Sequence, residues 1–485
     1  MPINLPPKSI KNLGIYGVLR QAEVNDSLIP DGAVTEAINV HFDRKGAITL
    51  RLGLTGLGTT VSANYSCIGL YNAMFSNSGS NSILAVFSDG TNNDIYRYSA
   101  SVWSKTLDDD TAGAKTRFVN FADRTIRVNG TDGTIKCWLG GTGTWQITGP
   151  PINPQQLAGY KPKFIEVFKN KVYVSGDSTF PDRLLWSSVV DSGGTITFTP
   201  TTDYLDINPN DGENLTGLKK FSLELLNFKP NYIYRFKSSG LDSEPLIKIG
   251  TRSQESIVEG KRGLYFHHDT GFYLYSGGYP KEISRPISDI VEAIPLSFYT
   301  EVSSWKDNDH IYWSVGDLTI EGKTWNNIVV RYTESSEVWT AYSYSREIRW
   351  ASPYNDATTL SIVVGDTLGK VLTFNSGNTD DGVPIAYRLI TKWYDWEAIY
   401  LQKIIQQLVG VCEKAQALRI LYQIDDETSW KDLGQLRKFI TDFQPLNIVF
   451  HRIRFKLTGV SSSEPFIFLG IEIPKGIIEG DIIKK

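Results

Sequence analysis

The sequence is poor in the residues and segments that mark several protein classes. It has three cysteines, Cys67, Cys137 and Cys412, which lie far apart and have no C-x-x-C spacing, so they indicate neither a disulfide framework nor a thiolate metal site. We interpret them as small buried hydrophobic residues. No apolar run approaches the about 18 residues of a membrane span, and the N-terminus lacks the order of a secretory signal. We therefore expect no membrane insertion and synthesis in the cytoplasm.

Positive charge is also scarce. The chain has 49 Lys and Arg against 53 Asp and Glu, for a formal net charge of −4. Tight nucleic-acid binding by phosphate neutralisation is therefore not expected. The five histidines are scattered, and the sequence contains no phosphate-binding loop, serine-hydrolase elbow or zinc-peptidase helix motif. We predict no catalytic residue, no cofactor site and no metal site, and hence a protein that is not an enzyme.

The sequence is rich in a repeated hairpin pattern. A run of alternating apolar and polar residues is followed by a turn rich in Gly, Asp or Asn, and then by a run that carries Tyr, Trp or Phe. The seven copies begin at Ile83, Thr125, Lys171, Leu223, Gly263, His310 and Leu360. Their spacing of about 40 to 52 residues is typical of four-stranded propeller blades, which bury their faces only against neighbouring blades.

We therefore predict a mainly β protein in three parts. Residues 1–81 form a short mixed N-terminal segment that docks on the rest, residues 82–377 a β-propeller, and residues 378–485 a C-terminal β-sandwich-like platform domain. Six recurrent aromatic residues are expected to pack between blades. They are Tyr96, Trp138, Trp186, Tyr234, Tyr273 and Trp313.

A few segments carry local signals of their own. Residues 33–40 are predicted to form one or two helical turns, and residues 47–53 alternate like a strand. A short helix is predicted from Ser288, with Asp289 and Glu292 in its first turn and Pro295 to end it. The run KIIQQLVGVC fits either a strand or a helix, because a short apolar run does not fix the period.

Two groups of polar residues are weighed as sites. Asp203 and Asp206, with Asp211 and Glu213 downstream, are read first as a solvated turn, then as a calcium site, and last as catalytic carboxylates. His267 and His268 are adjacent in a predicted strand and so face opposite sides, which predicts that one is buried and the other exposed.

A basic stripe runs along one C-terminal strand. In RIRFKLTG, Ile453, Phe455 and Leu457 are expected on one face, and Arg452, Arg454 and Lys456 on the other. The stripe is read as a solvated strand face, as a contact with an acidic neighbouring subunit, or as a contact with DNA phosphate.

Three stretches resemble the tail hub or nozzle proteins of short-tailed bacteriophages, also called packaged-DNA stabilisation proteins. The first is SLIPDGAVTEAINVHFDRKGAITLRLGL, in which an Asn-Val strand, Asp43 and Gly46 precede Arg51 and Gly53. The central stretch begins at DINPNDGENLTGLKKF and continues through KRGLYFHHDTGFYLYSGGYPKEIS. The terminal stretch is HRIRFKLTGVSSSEPFIFLGIEI.

The resemblance implies a structural virion protein of the phage tail. Such a protein forms a six-membered ring below portal and adaptor proteins and above tail fibre or needle proteins. Double-stranded DNA passes through its lumen without specific binding and is retained or ejected there. The alternative is a propeller-fold receptor protein that binds or hydrolyses glycans.

Overall fold

The computed structural model describes residues 3–20, 29–42, 46–61, 65–75, 80–111, 114–131, 135–140, 145, 157, 159–192, 195–237, 240–320, 322–355, 360–414, 418–437, 439–461 and 465–479. Almost all regular structure in these ranges is β. The N-terminal strands are β1 (Ile3–Leu5), β2 (Lys8–Lys11), β3 (Val34–Ile38), β4 (Val40–Phe42), β5 (Ile48–Leu50) and β6 (Leu54–Gly56).

Strands of the middle of the chain form the blades. They are β7 (Ser66–Phe75), β8 (Ser80–Ser88), β9 (Asn92–Ser99), β10 (Val102–Thr111), β11 (Arg117–Phe121), β12 (Arg124–Val128), β13 (Lys136–Trp138), β14 (Phe164–Phe168), β15 (Lys171–Ser175), β16 (Arg183–Trp186), β17 (Tyr204–Asp206), β18 (Gly217–Phe221), β19 (Glu224–Phe228), β20 (Ile233–Lys237), β21 (Gly240–Ile247), β22 (Val258–Glu259), β23 (Leu264–His268), β24 (Gly271–Tyr275), β25 (Lys281–Glu282), β26 (Ser303–Asp307), β27 (His310–Ile320), β28 (Lys323–Thr333), β29 (Val338–Ser343), β30 (Ile348–Asn355), β31 (Leu360–Asp366) and β32 (Val371–Phe374).

The C-terminal part continues with ten strands. They are β33 (Thr379–Asp380), β34 (Val383–Pro384), β35 (Ala386–Thr391), β36 (Gln402–Lys414), β37 (Arg419–Ile424), β38 (Lys431–Gln435), β39 (Phe439–Phe443), β40 (Ile448–Phe450), β41 (Ile453–Val460) and β42 (Ile467–Glu479). The helix predicted from Ser288 is confirmed as α1 (Ser288–Glu292), preceded and followed by 3-10 turns. Within the described residues no helix is long and apolar enough to cross a membrane.

The blades are successive antiparallel sheets arranged as a β-propeller, as predicted. In the described parts of the chain they are blade 1 (β7–β10), blade 2 (β11–β13), blade 3 (β14–β17), blade 4 (β18–β21), blade 5 (β22–β25), blade 6 (β26–β29) and blade 7 (β30–β32). The first strand of most blades contacts the first strand of the next, and β30 returns to contact β7. Blades 4 and 5 meet where the Gln254 side chain bonds both backbone groups of Leu218, at 2.5 and 2.9 Å.

Each of the seven sequence repeats forms the second and third strands of one blade. The copy that begins at Ile83 lies in β8 and β9, and the copy at His310 starts β27 and continues into β28. The six recurrent aromatics pack between blades as predicted, because each lies in or against a buried cluster that draws on two adjacent blades. For example, Trp138 of blade 2 meets the Phe75 ring of blade 1 edge-on at 5.3 Å.

The N-terminal strands are distributed over the whole fold. β6 pairs with β32 and completes blade 7, so the first part of the chain closes the propeller against the last blade. This closure removes a sheet edge that would otherwise be exposed. The first blade starts with β7 at Ser66, so the boundary predicted at residue 82 falls inside blade 1. The three cysteines are buried and unpaired, which confirms their predicted role as small core residues.

The helical turns predicted for residues 33–40 are wrong. These residues form β3 and β4, and β3 lies between β29 of blade 6 and β35. Val34 and Ala37 are buried on contact with these strands, so pairing and burial override the local helical pattern. As a result, one nine-stranded sheet runs without a break from blade 6 into the C-terminal part of the chain.

The platform consists of two sheets with one shared core. The first is the extension of blade 6 through β3, β35, β41, β37 and β38, and the second contains β36, β42, β39, β40, β1, β2, β4 and β5. The ambiguous KIIQQLVGVC segment lies in β36, a strand. Ile405 and Leu408 of the second sheet belong to the same buried cluster as Phe455 and Leu457 of the first.

A buried ion pair fastens the N-terminal segment to the end of the propeller. Arg51 donates to both carboxylate oxygens of Asp380, at 2.8 and 2.6 Å. Its remaining N–H groups donate to Asn39 Oδ1 and to the carbonyl oxygens of Leu52 and Ser343, at 2.7 to 3.0 Å. All five donors of the guanidinium are thus used, and both charged side chains are almost fully buried.

Candidate functional site: the platform face

The basic stripe on β41 lies on the outer face of the platform. Ile453, Phe455 and Leu457 are buried, as predicted from the alternation of the sequence. The side chains between them, Arg454 and Lys456, are partly exposed. The strand therefore carries its apolar residues into the core and its cations outward, and β35 and β37 flank it on either side.

Two tryptophans hold the cations in a ladder. The guanidinium carbons of Arg452 and Arg454 lie 4.7 and 4.5 Å from the centre of the Trp393 ring. On the other side of Arg454, the Trp430 ring is contacted at 5.3 Å by both Arg454 and Lys456. The order Arg452, Trp393, Arg454, Trp430, Lys456 alternates cations with indole faces, each contact worth about 0.5–1 kcal/mol at an exposed site.

Arg452 and Arg454 also make polar contacts within the chain. Arg452 pairs with the exposed carboxylate of Asp426 at 2.9 Å, and Arg454 Nε donates to the neutral Gln423 Oε1 at 2.8 Å. Loss of hydration, together with the nearby charge of Arg388, lowers the pKa of the Lys456 ammonium.

Exposed apolar residues lie beside the Arg452 end of the ladder. Ile399 and Tyr400 are 55% and 73% exposed. The turn that carries them is tied to the start of β41 by the buried Lys403, whose Nζ donates to the carbonyl oxygens of Leu401 and His451 at 2.9 and 2.8 Å. We call the ladder together with Ile399 and Tyr400 the platform face.

A second apolar feature is the edge strand β39. It is the last strand of its sheet and pairs with β36. Phe439 and Ile440 on this strand are 60% and 56% exposed. An exposed, apolar edge strand is a template for pairing with another chain unless it is covered.

The loop that contains Asp203, Asp206, Asp211 and Glu213 binds a cationic side chain of the protein itself. The fully buried Lys229 donates to Asp182 Oδ1 at 2.8 Å, to both carboxylate oxygens of Asp211 at 2.8 and 2.9 Å, and to the Asn208 carbonyl oxygen at 3.1 Å. Burial opposes ionisation of Asp211, but the bonds from Lys229 and the Glu213 backbone outweigh it and lower its pKa. The ammonium of Lys229 thus compensates the charge of Asp211 and bonds the Asn208 carbonyl oxygen in this loop.

Asp206 and Glu213 of this loop bind other protein groups, whereas Asp203 lies outside these pairs. Asp206 forms a two-bond ion pair with Arg183 at 2.6 and 2.8 Å, and Glu213 accepts the Asn231 backbone N–H at 3.0 Å. Asp203 is partly buried and takes no part in these pairs. In the ranges that the structure describes, no group of three or more His, Cys, Asp or Glu side chains is placed to hold a metal ion.

The prediction for the paired histidines is wrong in one respect. His267 and His268 are both buried, because neighbouring elements cover both faces of β23. His267 packs against the Phe272 and Tyr299 rings at 5.2 and 5.1 Å, and burial lowers its pKa to about 3. His268 Nδ1 lies 2.9 Å from Thr270 Oγ1. Both therefore act as core residues.

Comparisons with known proteins give little further information. No family model matches the sequence, and no curated protein matches it. Among solved structures, the chain is similar to the crystal structure of an extracellular domain assigned to a one component system of B. thetaiotaomicron, with 12% sequence identity and a TM-score of 0.43. The match covers 93% of this chain but 64% of that chain, less than two thirds of its length. Similarity at this level supports no conclusion about function.

Proposed function

We propose that this chain is a structural subunit of the tail of a short-tailed bacteriophage. In this proposal, six copies form a hub or nozzle ring below the portal and adaptor proteins and above fibre or needle proteins. The ring is the conduit in which double-stranded DNA is retained and through which it is ejected. The platform face is the observation that carries the proposal, and its occupant is a second copy of the same chain.

The platform face has the properties of a protein interface. Stacking already orders its Arg and Trp side chains, so little rotamer entropy remains to be lost on binding. Trp, Tyr and Arg are also the residues that dominate binding energy at interfaces. In a head-to-tail ring, the face of one copy meets a different surface of the next copy, and the chain's excess of acidic residues provides negative surfaces to meet it.

The resemblance and the charge of the chain support the conduit role. Of the three stretches that resemble tail hub proteins, the first contributes β3 to β5 and ends at Leu54, the first residue of β6. The central one contributes strands of blades 4 and 5, and the terminal one β41 and most of β42. They therefore reach the start of the strand that closes the propeller and include the strand that carries Arg454 and Lys456. A net charge of −4 also suits a wall along which DNA slides, because each neutralised phosphate adds affinity and so slows passage.

Charge reversal on the platform face tests the proposal. We expect Arg452→Glu, Arg454→Glu and Lys456→Glu together to abolish ring formation by the purified chain, alone or on tailless particles that carry portal and adaptor proteins. Light scattering and electron microscopy report the ring, and circular dichroism reports the fold.

The matched control is a triple reversal of exposed blade lysines, Lys220→Glu, Lys281→Glu and Lys306→Glu, which should leave assembly intact. A wild-type chain that stays monomeric and does not join such particles would refute the ring. If that monomer bound or cleaved glycans, the receptor alternative would be favoured.

A further inference from the structure

A cavity of about 770 Å³ lies between blade 6 and the N-terminal strands. The cross-strand register of blade 6 builds its floor. Tyr312, Arg331 and Thr340 are direct neighbours on β27, β28 and β29, and the row two positions along contains His310 and Thr333. Residues two apart on a strand share a face, so both rows line the same cavity.

The opposite wall comes from the N-terminal segment. His41 and Phe42 of β4 and the paired Arg51 line this side. Ile15 and Leu52 also line the cavity and are 49% and 42% exposed, so the cavity opens to solvent beside them. The cavity therefore has an apolar mouth and a polar floor, the arrangement of many small-molecule sites.

Arg331 is a buried cation without a carboxylate partner. It is 6% exposed, and its Nη atoms donate to the Tyr342 hydroxyl at 2.5 Å and to Thr333 Oγ1 at 3.2 Å, both neutral acceptors. Its Nε has no hydrogen-bond partner among the residues that the structure describes. No carboxylate of the described residues lies within 4.0 Å of this guanidinium, in contrast to Arg51, which is paired with Asp380. A buried charge left unpaired is strongly unfavourable, so Arg331 is suited to receive an anion.

Other groups of the cavity are suited to a hydroxylated molecule. Thr340 Oγ1 is buried and, in the described part of the chain, has no hydrogen-bond partner. Burial, and then the charge of Arg331, lowers the pKa of His41 to about 3, and the same two causes lower that of His310 to about 4, so both rings are neutral at pH 7. Asp307, at the cavity edge, accepts a hydrogen bond from the neutral Asn375 amide at 3.1 Å.

We propose that this cavity binds a hydroxylated organic carboxylate of the size and chemistry of a hexuronic acid. The carboxylate of the ligand lies against Arg331 and Thr340, its hydroxyl groups donate to Asp307 and His310, and its carbon skeleton contacts the apolar side chains at the mouth. A single free guanidinium matches one negative charge. A phosphate dianion is disfavoured because Asp307 and Asp309 also line the cavity and repel the second charge.

Calorimetric titration of the full chain with D-glucuronate tests this proposal, with D-glucose and inorganic phosphate as comparison ligands. We expect glucuronate to bind more tightly than either. Arg331→Gln should weaken glucuronate binding by about 10- to 100-fold, the usual loss of a hydrogen bond to a charged group. Asp307→Asn keeps an acceptor oxygen for the ligand hydroxyl group and removes a charge that repels the ligand carboxylate, so it should strengthen binding.

Two further variants keep the test decisive. Thr340→Val removes a hydroxyl group that makes no hydrogen bond to the described residues, so it should weaken glucuronate binding several-fold without lowering the unfolding temperature. Arg349→Gln, outside the cavity and paired with Glu301 at 2.9 Å, is the matched control and should leave binding unchanged. If Arg331→Gln does not fold, the Thr340→Val and Asp307→Asn variants decide whether glucuronate binds in this cavity.

The proposal is overturned if glucuronate does not bind, if glucose or phosphate binds as tightly, or if the cavity variants bind like the control. None of these outcomes bears on ring formation, which depends on a different surface.

Discussion

Removing the negative charge of Asp380 should loosen the closure of the propeller. Asp380→Asn keeps the volume of the side chain but leaves the Arg51 guanidinium buried without a counter-ion. Both side chains of this pair are at most 4% exposed, so water does not replace the lost partner. Breaking a buried ion pair on one side costs about 3–5 kcal/mol, and we expect a loss of stability in this range.

The loss should be local to the closure, and hydrogen exchange can locate it. β6 pairs with β32 through Leu54 and Phe374, Thr55 and Thr373, and Gly56 and Leu372. A change of about 3–5 kcal/mol in the opening equilibrium corresponds to about 10²- to 10⁴-fold faster exchange of amides in these strands. Mass spectrometry of peptides that cover β6 and β32, compared with peptides of blade 3, measures this directly.

Two controls make the result interpretable. Glu337→Gln breaks a solvent-exposed pair with Arg262 and should cost less than about 1 kcal/mol. The double variant Arg51→Met with Asp380→Leu removes both charges and should recover much of the stability that Asp380→Asn loses. Unchanged exchange in β6 after Asp380→Asn, or a double variant that is as unstable as the two single variants combined, would refute the argument.

Three further predictions concern the core. The pKa of His267 in the folded chain, about 3, lies below its unfolded value, so the neutral ring stabilises the fold fully above pH 6.5 and less as the pH falls towards 3. Urea unfolding should give a free energy of unfolding about 2 kcal/mol lower at pH 5 than at pH 7 from this residue, and His267→Phe should remove that difference. Burial raises the pKa of Glu255, but the charges of Arg117 and a nearby lysine outweigh it and hold the value at about 2. Glu255→Gln should lower the free energy of unfolding at pH 7, and the difference from the wild type should disappear between pH 4.5 and pH 2 in the same assay. A Cβ at Gly53 would lie 2.0 Å from the Thr379 carbonyl oxygen, so Gly53→Ala should cost about 1–3 kcal/mol in thermal unfolding and speed exchange in β6.

The sequence predicts the blades well because each hairpin is formed by residues that lie close together in the sequence. A hairpin needs two alternating runs and a turn, and all of these lie within about 15 residues. The turn residues are informative as well, since Gly90 and Gly176 adopt φ angles of 88° and 79°, which other residues rarely adopt. The alternation on β41 is equally local, and it places Phe455 inward and Arg454 outward from the pattern alone.

The remaining features depend on pairs that are distant in the chain. Arg51 and Asp380 are 329 positions apart, and no local pattern connects them. The strand identity of residues 34–38 comes from β29 and β35, which begin about 300 residues later. The Trp393 and Trp430 partners of the basic stripe also come from other segments, so the sequence shows the cations but not the ladder. The unpaired state of Arg331 emerges only when its cross-strand neighbours are known.

The continuity of the sheets links the platform face to the propeller mechanically. Blade 6 and the platform share one nine-stranded sheet, and β4 and β5 in the second platform sheet lead directly to β6 in blade 7. The two parts are therefore joined by the pairing of Ala341 with Ile38 and by the short connection of residues 51–53 between β5 and β6. A force applied at the platform face must then pass into blades 6 and 7, and the Arg51–Asp380 pair lies on that path. For this reason Asp380→Asn should weaken a ring assembled through the platform face even though Asp380 does not belong to that face.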